Sequence, residues 1–105
     1  MSVIMTLQVE GDPAALERLA GQNPEAIRGI SERAKERGVM AHRFYGSDDG
    51  HIMVVDEWPD RESFESFFAD ERENIEPMMR EVASGEPRIT FWRKLETHDE
   101  IGWEG

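Results

Sequence analysis

The sequence predicts an α+β domain, a ferredoxin-like β-α-β-β-α-β sandwich built on a four-stranded antiparallel sheet. Three observations predict it: apolar alternation of period two near both ends of the chain, a hairpin around residues 46–50, and two stretches with apolar residues at helical spacing. The 105 residues contain no linker, repeat or low-complexity tract. We therefore expect one domain at residues 1–96, followed by a tail at residues 97–105.

The first half of the chain is predicted to form a strand followed by two short helices. Residues 2–10 alternate and have one strongly apolar face. Asp12-Pro13 then supplies an N-cap and a proline in the first helical turn, and Asn23-Pro24 repeats that signal. These signals predict helices at about residues 13–20 and 24–37.

The second half of the chain is predicted to form a hairpin, a helical region and a last strand. Strands at residues 39–45 and 51–58 flank a Gly- and Asp-rich turn of five residues, which is typical of a β-hairpin. Pro59-Asp60 ends the second of these strands and begins a helix with spaced phenylalanines, and a further apolar helical stripe follows up to Gly85. The fourth strand is predicted at residues 88–95.

Both faces of the predicted sheet carry apolar side chains, although the helices can cover only one face. The last strand places Phe91 on one face and Trp92 on the other, and the second strand separates Phe44 from Tyr45 in the same way. A large uncovered apolar face predicts a partner, and the simplest partner is a second copy related by a two-fold axis. We therefore expect a homodimer that forms through the sheet face.

The composition of the chain argues against several classes of partner and of functional site. The chain has 12 Lys and Arg against 23 Asp and Glu, a net charge of −11, which argues against binding to nucleic acid or to an anionic membrane. It has no cysteine, and its three histidines lack metal-ligand spacing, so we expect no metal site and no cofactor. No apolar stretch approaches the ~20 residues of a membrane span, and the N-terminal residues lack the regions of a secretory signal, so we expect a cytoplasmic protein.

His42 and Asp56 are the candidate catalytic pair. If the turn is symmetric, the hairpin pairs His42 with Val54 and Met40 with Asp56, which makes His42 and Asp56 diagonal neighbours on one face. A carboxylate beside an imidazole can orient it as a general base, and such a base could deprotonate a phenol or enol that then reacts with O₂ without a cofactor. The alternatives are a structural His–Asp pair, or a register slip that separates the two residues.

The same strand face and the following helices supply a candidate wall for a ligand. Its members are Met40, Phe44, Trp58, Phe64, Phe67 and Met79. Aromatic and methionine side chains suit a small apolar or aromatic ligand, because methionine adapts to varied shapes. The alternative is that these residues only fill the core, since helical spacing is also the signature of core packing.

The segment from Val54 to Phe67, VVDEWPDRESFESF, resembles the antibiotic-biosynthesis-monooxygenase-like superfamily of dimeric α+β barrels. It has a strand that ends in Glu-Trp, a short acidic turn and a helix with spaced aromatic residues. The strand segment Ala41–Tyr45 is also similar to the second strand of that family, and the resemblance covers roughly residues 2–95. It implies a cavity between the sheet and the helices that accepts a small, often aromatic, molecule.

The activities in that family include cofactor-independent oxygenation of polyketide-type aromatics and haem degradation. Phe67 stands where many members carry a histidine, which haem degraders use as an iron ligand, so the sequence disfavours haem binding. The prediction is a small-molecule-binding protein whose activity would be cofactor-independent monooxygenation of an aromatic or polyketide-like substrate. A non-catalytic ligand carrier and a structural interaction module of the same fold stay open as alternatives.

Overall fold

A computed structural model of the chain, which describes residues 1–103, contains a four-stranded antiparallel sheet and three helices. The elements are β1 (Val3–Gly11), α1 (Pro13–Gln22), α2 (Pro24–Glu36), β2 (Ala41–Gly46), β3 (His51–Trp58), α3 (Arg61–Val82) and β4 (Ala83–Trp92). The strands lie in the order β2-β3-β1-β4, and the helices pack on one face of the sheet. This confirms the predicted ferredoxin-like arrangement, with the α1–α2 pair in place of the first helix. None of the helices in the described chain is both long enough and apolar enough to cross a bilayer.

Two of the three predicted helix starts have the expected cap. The Asp12 side chain accepts a hydrogen bond from the N–H of Ala14 at 3.0 Å, and Asp60 accepts one from the N–H of Ser63 at 2.8 Å. Asn23 precedes α2 without such a side-chain bond. Asn23-Pro24 still lies at the break between α1 and α2. Proline is favoured at the first helical position, where a backbone N–H would have no partner within the helix.

The two apolar stripes predicted after residue 60 belong to one helix of 22 residues, α3. Pro77 lies inside this helix and removes the hydrogen bond to the carbonyl of Glu73. The helix continues through it because its apolar face is held against the core from Phe64 to Val82, and tertiary packing contributes more to helix stability than local propensity does.

The fourth strand begins and ends earlier than predicted. It begins at Ala83 instead of residue 88, because Ala83 pairs with Gly11 at the end of β1. A register shift follows, and Gly85 has a φ of +77°, so the glycine in this segment marks an irregularity inside the strand and not its beginning. The strand ends at Trp92 instead of residue 95, since Trp92 already lies opposite Ile4 at the start of β1.

The space between the sheet and the helices holds two buried apolar clusters. The first consists of Met5, Leu7, Ala34, Trp58, Phe64 and Phe67, and the second of Val9, Leu16, Ile52 and Val82. Alternate residues of β1 enter these clusters, as the period-two pattern predicted. The side chains of the intervening residues therefore point away from the helices.

The other face of the sheet is covered by no helix of the described chain. By strand register it carries Ile4, Thr6, Ala41, Arg43, Tyr45, Met53, Val55 and Trp92. Tyr45 is 47% exposed and Trp92 is 54% exposed. The indole N–H of Trp92 donates to the hydroxyl of Thr6, a neighbour on this face, at 2.8 Å. We call these residues the open face.

A partly buried ion pair joins α2 to α3. The Arg33 guanidinium donates two hydrogen bonds to the Glu71 carboxylate, at 2.8 and 2.9 Å, and the amide of Asn74 donates a third at 3.1 Å. Glu71 is only 8% exposed. Hydrogen bonding to Arg33 lowers the pKa of Glu71 below its ordinary value.

The Glu71→Gln variant is expected to lower the free energy of unfolding at pH 7 by about 1–2 kcal/mol, because it removes the charge from a bidentate pair whose arginine is partly exposed. The folded-state pKa of Glu71 lies below the unfolded one, so the pair stabilises the fold above the unfolded pKa and loses its effect as pH falls through the folded pKa. Urea unfolding across the acidic range should therefore bring the variant and the wild type together.

Asp70→Asn is the matched control, since it removes a surface pair between Asp70 and Arg37 at 2.7 Å. That change should alter stability by less than about 1 kcal/mol. A stability difference for Glu71→Gln that stayed constant from neutral to acidic pH would contradict the stabilising role of the ionised Glu71 carboxylate.

The chain after β4 contains no helix or strand up to residue 103. Ile101 and Trp103 are 89% and 86% exposed, and the Lys94 ammonium lies 2.7 Å from the Glu100 carboxylate. Residues 104 and 105, the end of the predicted tail, lie outside the described residues. The domain boundary at residue 96 stays a prediction.

Candidate functional site

An apolar cavity lies between the sheet and the helices α2 and α3. Its volume is about 80 Å³, which is room for several water molecules. Leu7 and Val54 line it from the sheet, Ile30 lines it from α2, and Phe68 and Ile75 line it from α3. The polar side chains in its wall are those of Ser31, His42 and Asp56.

His42 and Asp56 lie directly opposite each other on β2 and β3. The predicted register is wrong by two residues, since Phe44 pairs with Val54 and Gly46 pairs with Ile52. Gly46 thus extends β2, and the turn begins at Ser47 instead. A shift of two keeps every side chain on its predicted face, so His42 and Asp56 share a face as expected and are closer than predicted.

The imidazole and the carboxylate form a short hydrogen bond. The distance from His42 Nδ1 to Asp56 Oδ1 is 2.7 Å. Asp56 is 5% exposed, whereas the His42 side chain is 29% exposed. The His42 ring also packs edge-on against Phe44, with 5.3 Å between ring centroids. The pair therefore joins a buried carboxylate to a histidine at the edge of the cavity.

Trp58 completes the surroundings of the carboxylate. Its indole N–H donates to Asp56 Oδ2 at 3.0 Å, so each carboxylate oxygen accepts one side-chain hydrogen bond. An ionised Asp56 carboxylate could only accept this hydrogen bond, so the pairing would require the tautomer of neutral His42 that carries its proton on Nδ1. The basic lone pair of the neutral imidazole then lies on Nε2. Within residues 1–103, Nε2 makes no hydrogen bond.

The structure separates the six predicted wall residues into two groups. Phe44, Phe64, Phe67 and Met79 line the cavity together with His42 and Asp56. Met40 and Trp58 do not line it. Met40 precedes β2 and is 59% exposed, and Trp58 is fully buried behind the wall, against Phe64 and Phe67. The functional roles of all these residues stay predictions.

Several lining residues were not identified as site residues from the sequence. They are Met5, Leu7, Ile27, Ile30, Ser31, Ala34, Val54 and Ile75. Their apolar periodicity marked most of them as core, and periodicity cannot tell a residue that fills the core from one that borders a cavity. Only the docking of α2 over the sheet brings Ile27 and Ile30 to this wall.

The described residues offer no arrangement for a metal ion. No group of three or more His, Asp or Glu side chains in residues 1–103 is placed to hold one. Phe67, the position at which the resemblance suggested comparison with a haem-ligating histidine, is 5% exposed and packs on Trp58 with 5.4 Å between ring centroids. It has no atom that could ligate iron, so the residues at this position do not fit haem.

No protein-family model matches this chain, and no curated protein matches its sequence. The fold, in contrast, is similar to solved structures. A monooxygenase of Streptomyces coelicolor, in complex with the ligand nanaomycin D, is 20% identical with a TM-score of 0.69, and the match covers 91% of this chain and 89% of that one.

Two further structures place the chain among proteins of the same fold. An antibiotic biosynthesis monooxygenase is 16% identical with a TM-score of 0.65, over 90% of this chain and 99% of that one. A dimeric ferredoxin-like protein from an uncultured marine organism is 12% identical with a TM-score of 0.65, over 90% and 89%. At such identities the likeness is one of fold, and it confirms the fold that the resemblance predicted.

Proposed function

We propose that this chain, which has the fold of the antibiotic biosynthesis monooxygenases, binds a small apolar or aromatic molecule between its sheet and helices and oxygenates it with His42 as the general base. The observation that carries the proposal is the 2.7 Å pairing of His42 with the buried Asp56 carboxylate in the wall of an apolar cavity. A carboxylate in this position orients the imidazole and stabilises the imidazolium that forms when Nε2 accepts a proton.

The proposed reaction begins with removal of a proton by His42 Nε2 from an acidic C–H or O–H of the bound ring system. The resulting anion is electron-rich and passes one electron to O₂, and the two radicals then join through a new C–O bond. His42 returns its proton to the peroxide. Loss of water, made of the terminal oxygen with its proton and the remaining proton on carbon, leaves a carbonyl. One CH₂ and one O₂ thus give one C=O and one H₂O, so no external reductant is required.

The cavity wall supports an aromatic ligand. Phe44, Phe64 and Phe67 present rings to the same space as His42, and Met79 adds a flexible apolar side chain that can adapt to a ligand larger than the present volume. The Streptomyces coelicolor monooxygenase, whose structure contains nanaomycin D, supports a small organic molecule as the ligand.

In this proposal the functional unit is a homodimer that forms through the open face. The support is an exposed face with Ile4, Tyr45, Val55 and Trp92, together with the dimeric ferredoxin-like protein of the same fold. Location in the cytoplasm and the lack of nucleic-acid binding stay predictions.

The test uses 1,8-dihydroxyanthrone, a three-ring compound whose CH₂ lies between two rings and is acidified by the carbonyl. Incubated with the protein under ¹⁸O₂, it should give 1,8-dihydroxyanthraquinone with one labelled oxygen, one O₂ consumed per product, at a rate at least about 100-fold above the reaction without protein. An oxygen electrode and mass spectrometry measure both quantities.

A non-catalytic carrier is the second candidate function, because the cavity wall is apolar except for Ser31, His42 and Asp56. Equilibrium dialysis of the same compound separates the two functions. Binding without oxygen uptake above the background rate would contradict the oxygenase and favour the carrier. If the compound neither bound nor reacted, the structural module would be favoured.

A further inference from the structure

Trp58 occupies an unusual position for an aromatic residue next to a cavity. It is 0% exposed, and its ring packs against Phe64 and Phe67, with centroid distances of 6.0 and 5.4 Å. The Phe64 and Phe67 side chains line the cavity while Trp58 does not. A ligand in the cavity would therefore touch these phenylalanines and not the indole.

The one polar atom of Trp58 is directed at the carboxylate that orients His42. Asp56 and Trp58 are two residues apart on β3, so both project from the same face of the sheet. The indole N–H donates to Asp56 Oδ2 at 3.0 Å, and Asp56 Oδ1 faces His42 Nδ1 at 2.7 Å. Three side chains from two neighbouring strands thus form a chain of hydrogen bonds that begins in the core and ends at the cavity.

We propose that Trp58 is a positioning residue, which holds the Asp56 carboxylate in the one orientation that keeps the proton of His42 on Nδ1 and the basic lone pair on Nε2. The role of Nε2 as a base rests on the proposed function. The tautomer does not rest on that function: it follows from the hydrogen-bond geometry, with the Asp56 carboxylate as the acceptor.

The physical reason is the freedom of a carboxylate with a single partner. Rotation about the terminal bond of an aspartate is broad, so one hydrogen bond from His42 would not hold both oxygens of Asp56 in place. Asp56 is 5% exposed, which leaves little room for water to replace the indole as a donor. In the described chain no buried side-chain nitrogen or oxygen lacks a partner, so removal of the indole N–H would leave Asp56 Oδ2 unsatisfied.

The test replaces the donor and keeps the ring. In Trp58→Phe the aromatic packing is partly retained and the N–H is lost. A second variant carries 3-benzothienylalanine at position 58, which has the shape of tryptophan with sulfur in place of the N–H. Trp92→Phe is the matched control, because it removes an indole N–H that donates to Thr6 on the open face, away from the cavity.

The readout is the nitrogen-15 spectrum of the histidine side chains at alkaline pH, with the His42 signals assigned by loss in a His42 variant. In the wild type and in Trp92→Phe, the proton of His42 should lie predominantly on Nδ1. In both variants at position 58 it should become shared between Nδ1 and Nε2. Turnover of 1,8-dihydroxyanthrone should fall about 10-fold in kcat with little change in KM.

Two results would overturn the inference: a wild-type His42 that is protonated on Nε2, or variants at position 58 that keep the wild-type tautomer. A wild type with the expected tautomer and no turnover would instead contradict the proposed function and leave the role of Trp58 intact. The nitrogen-15 spectrum therefore tests the role of Trp58, and the turnover rate tests the proposed function.

Discussion

The His42→Ala variant is expected to lose oxygen uptake by about 10²–10⁴-fold, because it removes the proposed base, the one histidine that lines the cavity within residues 1–103. The fold should persist, since the His42 side chain is 29% exposed, and its removal opens a space in which water can reach Asp56 Oδ1. The rate is measured with 1,8-dihydroxyanthrone and an oxygen electrode, and the oligomeric state by sedimentation.

A second substitution separates the base from the hydrogen bond. His42→Gln can still donate an amide hydrogen to Asp56 but has no basic nitrogen. It should therefore be as inactive as His42→Ala and at least as stable. His51→Ala is the matched control, because His51 also pairs with an aspartate, Asp49 at 3.2 Å, but lies at the exposed turn and not in the cavity wall. A His42→Gln protein that kept the wild-type rate would contradict the mechanism.

Trp92→Glu is expected to dissociate the proposed dimer. Trp92 lies on the open face and is 54% exposed in the single chain, so a glutamate there costs the fold little and places a charge in the proposed interface. Tryptophans in interfaces are often worth 2 kcal/mol or more, which corresponds to a dissociation constant raised by about 30-fold or more. Analytical ultracentrifugation over a concentration series measures this constant.

Leu95→Glu is the control for that experiment. Leu95 is 56% exposed, close to the value for Trp92, but it follows the end of β4 and lies outside the sheet. It should leave the dissociation constant unchanged. A wild type that sediments as a monomer, or a Trp92→Glu variant that stays dimeric at all concentrations, would contradict an interface on the open face.

The candidate pair shows how far strand periodicity reaches. The predicted and the observed register differ by two residues, and a shift of two leaves each side chain on the same face of the sheet. Both registers therefore place His42 and Asp56 on one face. Direct opposition at 2.7 Å was not predictable, because it depends on whether Gly46 belongs to the strand or to the turn. That choice is made by the backbone pairing of Gly46 with Ile52, which leaves no pattern in the side chains.

Trp58 shows the limit of the same reasoning. Strand periodicity placed Trp58 correctly on the same face as His42, and that position suggested a wall residue. Its depth is decided by Phe64 and Phe67, which fold over it from α3. The fourth strand shows a similar limit, since Gly85 looked like a boundary and is an irregularity within the strand.

The sequence by itself determined the α+β class, the order of the elements, the two faces of the sheet and the presence of one histidine and one carboxylate on the inner face. These follow from local signals, namely periodicity, caps and turn residues, that act over a few neighbouring residues. Only the tertiary structure decided that α2 and α3 leave a cavity of about 80 Å³ over this pair, and that Trp58 donates to Asp56 from behind the wall. Both depend on how side chains distant in sequence fill the space between the sheet and the helices, and that is set by packing of the whole domain.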